Sequence, residues 1–144
     1  GSEMCIRDRE LAELRKLKTK VYREAFQSFS SSLELDLSAF DEEITDLIKN
    51  GHIQKFEYCS ELMWKCIRLY LLDTEAVNAS GPKGAAKELF RLGKCDEALY
   101  ESIVEILEAR NELSHLYNQE MFNKLYRRLP DFSRVFGEVL ALIS

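Results

Sequence analysis

The chain has 144 residues, 46% of them hydrophobic, with 20 Lys and Arg against 25 Asp and Glu, for a formal net charge of −5. A chain of this length is expected to form one domain and to bury about two-thirds of its unfolded surface. Its longest apolar run, residues 139–143, is far shorter than the roughly 18 residues of a membrane span. The acidic balance argues against a general nucleic-acid binder, and no secretory signal pattern opens the chain.

The cysteine pattern favours reduced thiols in the cytoplasm. Cys59 and Cys66 lie two helical turns apart on one face and cannot bridge each other, and no Cys-x-x-Cys occurs. With only two histidines in the chain, a zinc site is not expected either. We therefore expect no metal and no cofactor, and small buried thiols rather than disulfides.

The first part of the chain predicts a leader and one helix. Residues 1–9 are interpreted as an artefactual leader, because residues 1–2 resemble a tag-cleavage remnant and residues 4–9 resemble translated adapter sequence. A first helix is predicted over residues 10–27, ending at a serine-rich stretch, residues 28–32, of poor helix formers. Ser38 is predicted to cap a short turn through residues 41–43.

A second long helix is predicted to run to about Asp73. Its bundle seam repeats at steps of three and four through Ile53, Phe56, Ser60, Met63, Ile67 and Tyr70. Trp64 on this helix is predicted to be a core residue, and stacking on a nucleotide is the alternative. Pro82 is predicted in the first turn of a short connecting helix that ends at Gly93.

Two or three further helices complete an all-α chain of residues 10–144. Asp96 is predicted to cap a helix over residues 97–116, and Asn118 to cap the next one, which Pro130 interrupts. The apolar stripe beyond Pro130 is predicted to pack on the bundle, with a partner or dimer surface as the alternative. Strand-like alternation and internal repeats are absent from the sequence.

The most informative stretch is the hexapeptide RNELSH at residues 110–115, followed two residues later by Tyr117. It interrupts an apolar seam with helical spacing, made of Leu99, Ile103, Ile106, Arg110, Leu113 and Tyr117. A charge turned toward a core is costly unless it is paired or used. The seam position of Arg110 therefore indicates a functional site.

Helical geometry predicts how the motif residues would be arranged. Arg110 and Tyr117 would point the same way to within roughly 20°, whereas Arg110 and His115 would diverge by roughly 140°. Asn111 and His115 are one turn apart, so we expect Asn111 to hydrogen-bond a ring nitrogen of His115 and fix its tautomer. A second copy of the motif, brought in by a two-fold dimer, could close the pocket.

These residue types suit phosphoryl transfer without a metal. A histidine can take or give a proton near neutral pH, and an arginine fork can neutralise charge on a phosphate oxygen. RNA supplies its own nucleophile, the 2′-hydroxyl. Two alternatives stay open: Arg110 and His115 could flank a helix and pair with Glu105, Glu108 or Glu112, or Arg110 could fix dimer register.

Any RNA contact would need local basic charge in this acidic chain. The candidates beside the motif are Lys124, Arg127 and Arg128. A second basic group lies on the connecting helix, at Lys83, Lys87, Arg91 and Lys94. The alternative for both groups is a solvated helix face.

The motif resembles a known family. Arg110-Asn111-x-x-x-His115-x-Tyr117 resembles the Arg-x4-His-x-Tyr motif of the HEPN superfamily, small helical domains of which many are ribonucleases. Residues 55–65, KFEYCSELMWK, are similar to a helix of its nucleotidyltransferase substrate-binding branch, which overlaps the HepT-like toxins. Residues 80–83 and 89–93 resemble that branch's connecting helix. The similarity covers roughly residues 17–130.

The resemblance implies a fold and a function. The fold would be an up-down four-helix bundle with a short connecting helix and a C-terminal helical extension, forming a homodimer with its two motifs facing each other. Arg110 and His115 would be the catalytic pair of an endoribonuclease toxin, with Asn111 supporting. A cognate minimal nucleotidyltransferase would act as antitoxin by adenylylating Tyr117. The rival interpretation is a non-catalytic subunit that presents a substrate to a nucleotidyltransferase.

Overall fold

The computed structural model describes the backbone of residues 2–144 and the side chains of residues 6–144. These residues form six α-helices and two short 3₁₀ turns, Leu37–Ala39 and Leu113–His115. The helices are α1 (Ser2–Ser32), α2 (Glu42–Glu75), α3 (Gly81–Arg91), α4 (Glu97–Glu112), α5 (Gln119–Tyr126) and α6 (Leu129–Ile143). The predicted all-α class is confirmed.

The four longer helices α1, α2, α4 and α6 pack together as a bundle. Helix α1 packs on α2 and α6, and α4 packs on α2 and α6. The short helix α3 connects α2 to α4 and packs against both. The C-terminal helix α6 is one of the packed members, so the stripe beyond Pro130 is a core face rather than a partner surface.

The core confirms the predicted seam of α2. Ile53, Phe56, Ser60, Met63 and Ile67 are buried, and Tyr70 packs partly buried beside them. Aromatic rings from three helices meet at the centre of the bundle: Phe29 of α1, Phe56 of α2, and Phe132 and Phe136 of α6. Burial of these apolar side chains is the main stabilising term of the fold.

The early helix boundaries differ from those predicted. Helix α1 begins before residue 10 and continues through the serines to Ser32, because Phe29 is fully buried and the Ser32 hydroxyl donates to its carbonyl at 2.7 Å. The predicted cap at Ser38 is wrong. Asp36 caps the Leu37–Ala39 turn and Asp41 caps α2, since both carboxylates accept backbone N–H groups. Part of the predicted leader, namely residue 1 and the side chains of residues 1–5, lies outside the described part of the structure.

The later caps agree with the predictions. Pro82 lies in the first turn of α3, and Gly93 follows that helix with φ of +73°. The side chains of Asp96 and Asn118 accept the N–H groups of Leu99 and Met121. Pro130 lies in the first turn of α6, where its missing N–H leaves no bond broken.

The structure describes the side chains of three cysteines, and all three are unpaired thiols. Cys59 and Cys66 are buried and Cys95 is partly exposed. Within the described residues, none of the helices combines the length and the apolar character needed to cross a membrane.

Candidate functional site

Helix α4 ends before the motif does. It stops at Glu112, the chain passes through the Leu113–His115 turn, and Leu116 is extended with ψ of 107°. The Ser114 hydroxyl donates to the Asn111 carbonyl at 3.0 Å, which supports the tighter turn. The predicted helix to residue 116 is therefore wrong, and Tyr117 does not continue the seam. Its side chain is 80% exposed.

Arg110 sits at the last turn of α4, half in the core. One terminal nitrogen lies 3.7 Å from a carboxylate oxygen of Glu57 on α2, and the side chain is 39% exposed. The Nε atom is buried and has no hydrogen-bond partner among the described residues. Leaving such a donor unsatisfied costs about 1–3 kcal/mol, so the arginine is held at an energetic cost.

The ion pairs considered between Arg110 and Glu105 or Glu108 do not form. Glu105 lies 3.8 Å from Arg128, and Glu108 lies 3.7 Å from Lys83. The observed partner, Glu57, is on another helix, and a neighbour across two helices cannot be found from local spacing.

His115 lies at the exposed end of the Leu113–His115 turn. Its Nδ1 lies 3.4 Å from the Tyr117 hydroxyl, and the two ring centroids are 6.4 Å apart. The expected hydrogen bond from Asn111 to the imidazole does not form, because the change from α to 3₁₀ geometry removes the one-turn stacking of the two residues. We call residues 113–117 the motif tail.

A cleft of about 490 Å³ opens between α2, α3 and α4, beside Arg110. We call it the Arg110 cleft; its walls are Ser60, Glu61, Trp64, Ser80, Pro82, Lys83, Gly84, Leu107, Arg110 and Asn111. Arg110 and Asn111 line the cleft, whereas His115 and Tyr117 lie outside its walls. The predicted catalytic pair, Arg110 and His115, is therefore not brought together in one cleft. Trp64 packs on the core only partly buried and also lines the cleft.

The three basic residues predicted to bind RNA differ in their contacts. Lys124 is exposed in the last turn of α5. Arg127 donates from Nε to the Asn123 carbonyl at 3.2 Å. Arg128 lies over the Phe132 ring, 4.8 Å from its centroid, and borders a separate pocket with Glu105.

His52 is a structural residue that the sequence did not reveal. Its Nε2 donates to the Ser32 carbonyl and its Nδ1 shares a hydrogen bond with the Tyr126 hydroxyl, both at 2.8 Å. The carbonyl can only accept, so Nε2 carries the proton. His52 thereby joins the end of α1 to the end of α5, the helix that follows the motif tail. Its two partners, Ser32 and Tyr126, are 20 and 74 residues away along the chain, so no local sequence pattern predicts these hydrogen bonds.

Comparison with known proteins places the chain in a family. Residues 17–143 match the model of the family described as "Nucleotidyltransferase substrate binding protein like". The chain belongs to this family, whose description associates it with a nucleotidyltransferase. The family match extends to residue 143 and therefore includes α6. The resemblance drawn from the sequence motifs ended near residue 130.

Among relatives, the chain is similar to a Haemophilus influenzae protein described as a probable ribonuclease HepT, with 30% identity over 126 residues, or 81% of this chain and 85% of that one. The fold matches a crystal structure from Thermus thermophilus with a TM-score of 0.73 and 24% identity, covering 85% of this chain and 98% of the other. It also matches HI0074 of Haemophilus influenzae with a TM-score of 0.69 and 25% identity, over 87% and 98% of the two chains. That structure is described as revealing the fold of a substrate-binding domain of a nucleotidyltransferase.

Proposed function

We propose that this protein is a metal-independent endoribonuclease, the toxin of a toxin–antitoxin pair with a nucleotidyltransferase. The observation that carries the proposal is Arg110, a half-buried charge that has, among the described residues, an unsatisfied Nε and one long ion-pair contact. A purely structural residue there would be better satisfied or apolar. The similarity to a probable ribonuclease HepT supports the same function.

The proposed reaction is transesterification of the RNA backbone. The 2′-oxygen attacks phosphorus as His115 accepts the hydroxyl proton, and the bond to the 5′-oxygen breaks. The products are a 2′,3′-cyclic phosphate and a 5′-hydroxyl, whose proton would come from the histidine of the second motif in the proposed homodimer. Arg110 donates to the phosphate oxygens as negative charge builds on them. Asn111, beside Arg110 on the cleft wall, orients the substrate.

A homodimer would complete this site. His115 lies outside the cleft that Arg110 lines, so a second motif facing the first would supply the missing proton donor or acceptor. Lys124, Arg127 and Arg128 are proposed to hold the RNA backbone near the motif tail, offsetting the acidic net charge locally.

Tyr117 is proposed as the site of neutralisation. Its exposed hydroxyl is within reach of a partner enzyme and lies beside the His115 ring. Transfer of AMP from ATP to the tyrosine oxygen, with release of pyrophosphate, would add bulk and negative charge beside His115, the proposed base. The nucleotidyltransferase would thus act as antitoxin.

The first test is cleavage of total RNA by purified protein in EDTA. We expect His115→Ala to lower the rate by about 10²–10⁴-fold and Arg110→Ala by about 10²–10³-fold, with a 2′,3′-cyclic phosphate on the parent's products. Arg134→Ala is the matched control, since Arg134 is exposed on α6 and paired with Glu138. Equal cleavage by all four proteins would contradict the assignment.

A second candidate function is a non-catalytic subunit that presents a substrate to a nucleotidyltransferase. The description of the HI0074 structure favours it, as does the acidic net charge. Under this function no RNA is cut although intact mass shows Tyr117 free of AMP. Expression without the nucleotidyltransferase then leaves growth unchanged, whereas a toxin arrests it.

A further inference from the structure

The connection between α1 and α2, with the first turns of α2, exposes four large apolar side chains. Leu35, Phe40, Ile44 and Leu47 are each between 42% and 67% exposed. Single exposed apolar residues are ordinary on protein surfaces, whereas several within one short segment indicate an interaction surface. We call residues 34–47 the acidic-apolar segment.

Helix capping does not account for the exposure of Phe40. This residue precedes Asp41, the N-cap of α2, and an apolar residue there usually packs on the fourth residue of the helix. The fourth residue of α2 is Thr45, whose hydroxyl donates to the Leu37 carbonyl at 3.4 Å. Phe40 therefore lacks the apolar partner that this position normally has.

Ile44 and Leu47 face away from the core of the bundle. They are three residues apart in α2, so their side chains are neighbours on one face of the helix. Ile53, a buried core residue of the same helix, is nine residues from Ile44, which places it on the opposite side by roughly 180°. The exposed pair is therefore not an extension of the buried seam of α2.

The same segment carries strong negative charge. Residues 34–46 contain no Lys or Arg and six exposed acidic residues, Glu34, Asp36, Asp41, Glu42, Glu43 and Asp46. Among the described residues, none of these six carboxylates forms an ion pair. The next basic residue along the chain, Lys49, lies over the Tyr126 ring instead, 5.2 Å from its centroid. The charge of the segment is thus left uncompensated.

The acidic-apolar segment is ordered by its own hydrogen bonds. The Asp36 carboxylate accepts from both the N–H and the hydroxyl of Ser38, and the Asp41 carboxylate accepts from the Ile44 N–H at 2.8 Å. A surface that is already ordered loses little conformational entropy when a partner binds.

We propose that the acidic-apolar segment is a docking surface for a partner protein that presents Lys or Arg side chains around an apolar centre. Nucleic acid and anionic lipid fit poorly, since their phosphates would meet uncompensated carboxylates. A second copy docked through this same surface would bring like charges together. The surface is separate from the Arg110 cleft and the motif tail, and the proposal goes beyond the proposed function.

Fluorescence polarisation with labelled model peptides tests the chemistry of the partner. One amphipathic peptide has Leu and Lys at helical spacing, a second has Glu in place of Lys, and a third has Ser in place of Leu. We expect saturable binding of the Leu–Lys peptide that weakens as salt is raised, weaker binding of the Ser–Lys peptide and none of the Leu–Glu peptide. Equal binding of the Leu–Lys and Leu–Glu peptides, or of neither, overturns the proposal.

A matched pair of leucine variants locates the apolar contact. We expect Leu47→Ser to weaken binding of the Leu–Lys peptide by about five- to thirtyfold, because it removes an apolar side chain that the peptide covers. Leu17→Ser is the control, since Leu17 is similarly exposed but lies on α1 outside the segment. Equal effects of the two substitutions would refute docking on the segment.

A matched pair of double variants locates the charge contact. We expect Glu43→Gln/Asp46→Asn to weaken the same peptide by about two- to tenfold at low salt. Glu24→Gln/Glu101→Gln makes the same change in net charge at exposed positions of α1 and α4, and it should leave binding nearly unchanged. Equal weakening by both double variants would show that net charge alone attracts the peptide, which contradicts a docking surface.

Sedimentation velocity separates a partner protein from a second copy of this chain. We expect Leu47→Ser to sediment as the parent does, and circular dichroism checks that the variant is folded. A shift of Leu47→Ser toward a smaller species, with the Leu–Lys peptide producing the same shift in the parent, would assign the segment to self-association and overturn the proposal.

Discussion

Cys59 and Cys66 show at the residue scale how burial controls chemistry in this protein. Both thiols lie in the core, and desolvation raises the pKa of Cys59 to about 12 and that of Cys66 to about 11. The neighbouring Lys55 and Lys18 oppose this shift without cancelling it. Both side chains therefore remain neutral thiols at physiological pH and behave as small apolar residues.

These pKa shifts predict that the protein loses stability in mild alkali. Above pH 9 the unfolded chain releases the two thiol protons while the folded protein keeps them, so the free energy of unfolding falls as pH rises. The slope is about 1.4 kcal/mol per pH unit for each thiol. Urea unfolding between pH 8.5 and 10.5 measures it, and Cys59→Ala/Cys66→Ala should flatten the slope relative to the parent. An unchanged slope would contradict the assignment.

The C-terminus of α2 illustrates an unfavourable residue at the element scale. Ala76 ends the helix in the left-handed region at φ of 55°, and its N–H and that of Val77 bond the carbonyls of Leu72 and Leu71. This is the position at which glycine is usual, because a side chain there is strained. The two capping hydrogen bonds form despite this strain, and they hold the chain in the turn that leads toward α3.

Replacing Ala76 by glycine should stabilise the protein by about 1 kcal/mol, because it removes the left-handed penalty while the capping bonds remain. Ala141→Gly, at an exposed position inside α6, should instead destabilise by up to about 1 kcal/mol. Chemical denaturation of the two variants beside the parent measures both. Destabilisation of equal size by both substitutions would refute the strain at Ala76.

The bundle as a whole is tied at one end by Arg15. This α1 residue forms a 2.9 Å ion pair with Asp73 of α2 and donates to the Ile143 carbonyl of α6, also at 2.9 Å. Its guanidinium lies 5.0 Å from the centroid of the Tyr70 ring. A single side chain thus joins three of the four packed helices at the point where α6 ends.

Arg15→Met should lower the free energy of unfolding by about 1–3 kcal/mol, since it leaves Asp73 and the Ile143 carbonyl without their shared donor. Lys20→Met, an exposed change of charge on the same helix, should have an effect below about 0.5 kcal/mol. Urea unfolding of both variants gives the comparison. Equal effects would show that Arg15 acts through net charge alone.

Much of this architecture could be predicted from local patterns. The spacing of Ile53 to Ile67 identified the buried face of α2, and Asp96 and Asn118 identified helix starts, because periodicity and caps depend on neighbouring residues. The end of α4 could not be predicted, because the apolar period continues to Tyr117 while the Leu113–His115 turn departs from it. Ser60 was assigned to the seam for its spacing, but the cleft beside it needs α3 and α4 in place.

The candidate site was also partly predictable from local sequence patterns. The seam position of Arg110 was visible in the sequence, since a charge in an apolar stripe stands out. Its contact with Glu57 and its place in the cleft that Trp64 also lines depend on the packing of α4 against α2, which no local spacing encodes. The roles of Arg110, Asn111, His115 and Tyr117 remain predictions until the cleavage assays are done.

The motif tail leaves the bundle where α4 ends, so its exposed side chains can change without disturbing the packed core. His115 and Tyr117 are exposed, so we expect their replacement to change the free energy of unfolding by less than about 0.5 kcal/mol. Under the proposed function, a single substitution at either position would remove a reactive histidine or a tyrosine that can be modified, and the bundle would stay folded. Under the proposed function, the same folded bundle would act as a toxin with His115 and as a binding subunit without it.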